Sequence, residues 1–153
     1  ERAPDLEARL AELGAALMVQ TLRGLEDGSV VARAQDDAVA TVTPKLERRM
    51  GRVDWQMGAA ELACRSRAFD PWPGLYCTFR GGRLKLHGVE EGRPLAGEQA
   101  PGTILALSSA GIAVRCGGGT VALVTEVQRE GKQRIPADAF IIGERVAPGE
   151  RIL

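Results

Sequence analysis

The block Asp70-Pro71-Trp72-Pro73-Gly74 constrains this sequence more than any other feature. Two prolines one residue apart cannot continue a helix or sit inside a central strand, and Pro71 disfavours helical geometry at Asp70. Before the block, apolar residues recur at helical spacing; after it, they alternate. Candidate strands span 75–80, 83–89, 102–107, 112–116 and 120–127. Their separators are Gly81-Gly82, Gly97, residues 108–111 and Gly117-Gly118-Gly119. Short strands with Gly-rich turns predict a mainly β fold, a small closed or nearly closed barrel. A short helix over 136–142, opened by Pro136, and a last strand near Arg145 and Val146 would complete it.

Upstream, Trp55, Ala59, Leu62, Ser66 and Phe69 fall on one helical stripe, and Asp54 stands where an N-cap belongs. This helix is expected to pack on the barrel. Leu6, Leu10, Leu13 and Leu17 mark a stripe on an earlier helix over 5–25, which Gly28 stops. No second long helix nearby in sequence covers that stripe. It is therefore expected to pack on something outside the chain, another segment or a second copy. Residues 29–53 read as a connector, with a short strand at Val39, Thr41 and Thr43 and a basic run over 45–52. The resulting division is a terminal helix (1–28), a linker (29–53) and a barrel (54–153).

Aromatics make up only 4% of the chain, so the core must be built from Leu, Val, Ile and Ala. Trp72, between its prolines, reads as a plug closing one end of the barrel, with a recognition aromatic as the alternative. No apolar run approaches the ~18 residues of a membrane helix. The opening residues, Glu1-Arg2-Ala3-Pro4-Asp5, carry no signal-peptide plan and read as a cut end. Cys64, Cys77 and Cys116 form no CxxC pair. They are expected to be reduced thiols in a cytoplasmic protein, with Cys64 and Cys77 as core filler.

A net charge of zero conceals an asymmetry: residues 1–43 balance at −4 and residues 44–153 at +4. Nine bases against four acids crowd into 44–85. Such an excess attracts polyanions even on a neutral chain, although a merely solvated face gives the same count. Catalytic signals are missing by comparison. His87 is the sole histidine and sits in a strand, without the partners of a metal site or a nucleophilic triad. Gly117-Gly118-Gly119 lacks the GK[ST] ending of a phosphate loop and reads as a hairpin turn. A barrel with Arg and Lys on its strands suits RNA, through phosphate and shape rather than base stacking.

Asp54-Trp55 and Arg67-Ala68-Phe69-Asp70-Pro71-Trp72-Pro73-Gly74 resemble the C-terminal part of methionyl-tRNA formyltransferases. So, in the same order, do Pro101-Gly102-Thr103-Ile104-Leu105, Gly131-Lys132-Gln133-Arg134 and Pro148-Gly149-Glu150-Arg151. Asp70 replaces the family's usual Asn, Arg49-Met50 an acidic pair, and Ser66 an apolar residue. The resemblance implies a cytoplasmic enzyme that formylates initiator methionyl-tRNA from 10-formyltetrahydrofolate during translation initiation. It also implies that residues 54–153 form a small OB-like Greek-key barrel and that 5–25 are the last helix of an N-terminal domain. The catalytic Asn, His and Asp and the folate site would lie in that domain, in a part with no counterpart here. This chain is then expected to be non-catalytic, without cofactor or metal of its own. Its expected partners are the N-terminal formyltransferase domain and initiator tRNA. Candidate phosphate contacts are Arg52, Arg67, Arg80, Arg83, Lys85, Lys132 and Arg134. The alternative is an orienting module of a UDP-sugar formyltransferase or formyltetrahydrofolate dehydrogenase that touches no nucleic acid.

Overall fold

The computed structural model describes all 153 residues and divides into two units, Glu1–Leu46 and Glu47–Leu153. In the first, helix α1 spans Ala3–Glu26. Asp5 in its first turn accepts the Arg2 N–H at 3.1 Å, and Gly28 in left-handed geometry (φ 77°) ends it. Leu10, Leu13, Leu17, Leu22 and Leu25 are all exposed. The strand expected at 39–43 does not form, and Val39 and Val42 are exposed. A lone strand has no neighbour for its backbone groups, so alternation alone did not suffice there.

The second unit is mainly β: a six-stranded antiparallel sheet with helices packed on it. Its strands are β1 (Leu75–Phe79), β2 (Gly82–Glu91), β3 (Ile104–Ser108), β4 (Gly111–Arg115), β5 (Val121–Arg129) and β6 (Arg134–Pro136). The order β1-β2-β5-β4-β3, with β6 also on β5, places β2 beside β5 through a long connection, the Greek-key arrangement. Helix α2 (Ala59–Ala68) packs on β2 and β5, and α3 (Ala137–Glu144) supplies Phe140 to the core against Phe79. Leu84, Leu86, Ile104, Val114, Val124 and Val127 fill the interior, the aliphatic core that the scarcity of aromatics requires.

Closure comes from a segment that alternation did not flag. No strand forms at Arg145 and Val146, because Arg145 is left-handed (φ 51°) and terminates α3. Instead Ile152 bridges Phe79 and Arg151 bridges Thr103, so the final residues join β1 to the start of β3. Ile152 N–H donates to the Gly102 carbonyl and Leu153 N–H to that of Thr78, both at 2.8 Å. A run this short shows no period by which sequence could identify it.

Asp54 does not cap α2. Its carboxylate accepts the Gln56 N–H at 2.9 Å in a local turn, and the helix begins at Ala59. The position before Ala59 is Gly58, which has no side chain to cap with, so Thr120 Oγ1 accepts the Ala59 N–H at 3.0 Å from 61 residues away. Ser66, polar on a buried stripe, accepts the Val89 N–H at 3.3 Å just past the left-handed Gly88 (φ 61°). Cys64 is exposed rather than core filler, while Cys77 and Cys116 are buried. Burial pushes the Cys77 thiol up to about 12 and Cys116 to about 11, which keeps both unreactive. Trp72 is not a plug: it is 52% exposed, and Trp55 is the buried tryptophan. Residues 48–51 of the basic run form a 3₁₀ turn, and Gly51 is buried.

Candidate nucleic-acid interface

Strand register decides which basic residues share a surface. In β2, Leu84 and Leu86 point inward, so Arg83, Lys85 and His87 take the outer phase. Lys85 is opposite Tyr76 on one side and Gln128 on the other, and Gln128 is opposite Arg134. Arg52 bridges Tyr76 in parallel. Arg52, Tyr76, Lys85, Gln128 and Arg134 therefore form one row across the outer face. Arg83 lies beside it opposite Thr78, and His87 opposite Glu126.

Contacts within this row fix its shape. The Arg83 guanidinium lies over the Tyr76 ring, 3.8 Å from its centroid. His87 Nε2 is 3.3 Å from Gln128 Oε1, and Gln128 Nε2 donates to the Lys132 carbonyl at 2.8 Å. That bond holds the β5–β6 turn, with exposed Lys132, at the edge of the face. Arg134 is ion-paired with Glu126. Burial, and then the Arg134 charge, push the His87 imidazole below its ordinary range, with Lys85 adding to this and Gln128 and Asp70 opposing. His87 is thus neutral at pH 7, and the positive charge of the face comes from its arginines and lysine.

The structure brings four of the seven sequence candidates together, Arg52, Arg83, Lys85 and Arg134, with Lys132 at their border. Arg67 stands exposed in the last turn of α2, where its Nη2 donates to Cys64 Sγ. Arg80 is committed elsewhere. From the β1–β2 turn its Nε and Nη2 donate to the two Glu150 oxygens at 2.8 and 2.7 Å, and Nη1 to the Glu144 carbonyl at 2.8 Å. Arg129 grips the Glu144 carboxylate with two further bonds and lies 5.3 Å from the Phe79 ring centroid. Arg80 and Arg129 thus tie the end of α3 and the closing segment to the barrel. Sequence reasoning also missed Arg115, only 3% exposed, which donates to the carbonyls of Leu95, Ala96 and Gly119 and to Gln99 Oε1. It anchors the β2–β3 connection. No local pattern announces such a residue, because every partner but Gly119 lies in that connection, 16 to 20 residues away.

The Arg80–Glu150 and Arg129–Glu144 pairs make stability depend on acid. Hydrogen bonds from Arg129 and Arg80 hold the Glu144 and Glu150 carboxyls below their ordinary range. A depressed carboxyl stabilises the folded state above its unfolded pKa, and that contribution is lost as pH falls through the folded value. Thermal stability should therefore hold from pH 7 to about 5 and decline below about 4.5, the ordinary glutamate value. Differential scanning fluorimetry on wild type and Glu144→Gln, Glu150→Gln measures this. The doubly substituted chain should show a flatter acid limb, and an unchanged limb would remove these pairs from the account.

Residues 45–145 match the family described as formyl transferase, C-terminal domain, and the chain belongs to that family. The match takes in the whole basic row. Relatives that carry the name methionyl-tRNA formyltransferase are similar over almost the full chain. The protein of Solibacter usitatus is 43% identical over 152 residues, which is 99% of this chain and 48% of that protein. That of Anaeromyxobacter dehalogenans is 45% identical over 131 residues, 83% of this chain and 41% of that protein. The chain thus spans about half the length of the curated relatives it matches. HypX from Aquifex aeolicus shares the fold, with a TM-score of 0.62 over 94% of this chain and 26% of that one, at 22% identity.

Proposed function

We propose that this chain is the tRNA-gripping C-terminal part of a cytoplasmic methionyl-tRNA formyltransferase. The observation that carries the reading is the row Arg52-Tyr76-Lys85-Gln128-Arg134, with Arg83 beside it, on the outer face of a formyl transferase C-terminal domain. Formyl transfer, its 10-formyltetrahydrofolate co-substrate and its catalytic residues belong, in this reading, to the half of the relatives' length that the chain does not span. Leucines of α1 would then pack on that half. The barrel contributes charge and shape. Arg80 and Arg134, already ion-paired within the molecule, rank below Arg52, Arg83 and Lys85 as phosphate contacts.

Binding of initiator tRNA to the 153-residue chain as a function of salt tests the proposal. With about three phosphates neutralised, log Kobs should fall with log[salt] at a slope of roughly −3. Arg52→Glu with Lys85→Glu should weaken binding about 10- to 100-fold at low salt and flatten the slope by about 2. Both side chains are exposed, so circular dichroism should remain that of wild type. Absence of salt-dependent binding would overturn the reading in favour of a module that only orients its catalytic half.

A further inference from the structure

Five of the six aromatic side chains are enclosed or half-enclosed. Trp55, Phe79 and Phe140 are buried, Phe69 packs against the core, and Tyr76 lies beneath Arg83. Trp72 alone keeps about half its surface open, in a chain with few aromatics to spend. Its backbone is nonetheless tightly held. Pro71 and Pro73 fix φ on either side. The Gly74 N–H donates to the Phe69 carbonyl at 2.9 Å, and the Gly74 carbonyl abuts Gly51 so closely that a Cβ there would come within 2.0 Å of it. The backbone that presents the indole therefore has little freedom left to lose when something stacks on the ring.

The turn adjoins the basic face on two sides. Gly51, against which it is seated, precedes Arg52 of the row, and Asp70 at its start acts electrostatically on His87. Exposed Arg67 precedes it on α2. A flat ring in cationic surroundings fits a ligand that is both flat and anionic. An apolar protein face covering the same area would strip water from Arg52 and Lys85 without replacing it. We infer that Trp72 is a stacking platform for an unpaired base of an RNA whose phosphates run along the Arg52–Arg134 row. This rests on the tRNA reading and deepens it, adding a contact to a base where the row offers only contacts to phosphate.

The test measures binding of the 153-residue chain to tRNA, to a hairpin with a single-stranded 3′ overhang and to a blunt, fully paired hairpin. Trp72→Ala should weaken binding to the first two roughly 5- to 100-fold and leave the blunt hairpin unaffected. Its salt slope should match wild type, because no phosphate contact is removed. Trp72→Phe, which keeps a π-face, should recover most of the loss. If Trp72→Ala binds all three RNAs like wild type while Lys85→Glu is weakened, stacking is overturned and the charged-face reading stands. Equal loss on the blunt hairpin also overturns it, since no unpaired base is involved there. If the wild-type chain binds none of the RNAs, both readings fall.

Discussion

Removal of residues 151–153 is expected to unfold the barrel or to leave it far less stable than any single exposed substitution would. These residues bridge β1 to the start of β3, and Ile152 is buried in the core. Without them the backbone groups of Thr78 and Gly102 lose their partners and β1 becomes an open edge. Ile152→Ala alone should cost about 2–5 kcal/mol, the usual range for an aliphatic side chain deleted from a packed core. Leu153→Ala should cost less than about 0.5 kcal/mol, since that side chain is exposed. Urea unfolding followed by tryptophan fluorescence reads this directly, because both tryptophans lie in Glu47–Leu153. An Ile152→Ala midpoint equal to wild type would mean that the barrel closes without this segment.

Gly117→Ala should be nearly as damaging, for a different reason. The Gly117 N–H is shared between the Trp55 and Met57 carbonyls at 2.8 and 2.9 Å, which clamps the β4–β5 turn onto the approach to α2. A Cβ at Gly117 would lie 1.7 Å from the Gln56 carbonyl oxygen. Backbone must therefore separate from backbone, which also pulls Thr120 away from the Ala59 N–H it caps. The expected loss is about 2–4 kcal/mol, overpacking together with broken hydrogen bonds. Gly118→Ala provides the contrast. Gly118 is left-handed (φ 63°) with open space around it, so it should cost only about 1–2 kcal/mol of backbone strain. Equal midpoints for the two variants, measured by urea unfolding, would refute the steric account of Gly117.

The extent to which the sequence was legible followed the range of the interactions. Helix α1, β1, β2, β4 and β5 depend on periodicity within ten or twenty residues, and each lies where its pattern predicts. The basic face was half legible. An excess of Arg and Lys over 44–85 marks a region, and alternation in β2 puts Arg83 and Lys85 on one side. What alternation cannot supply is the row, because Arg52 and Arg134 join it only through pairing with β1 and β5. Arg80 illustrates the same limit in reverse. By composition it equals Arg83, yet its partner Glu150 lies 70 residues away and commits it to the clamp. Trp72 was misjudged as a plug because a tryptophan between prolines reads the same in sequence whether it is buried or exposed.

Local pattern sufficed for a helix with a leucine stripe, an Asp-Pro-Trp-Pro break, a short-stranded barrel and the formyl transferase C-terminal family. These rest on local periodicity and on a motif, which a chain carries before it folds. Tertiary structure alone decided that residues 151–153 close the barrel, that Thr120 caps α2, that Arg115 anchors a distant loop and which cations share a face. The cap on α2 spans 61 residues, and Arg115 reaches up to 20. At that separation only strand register and packing select the partner.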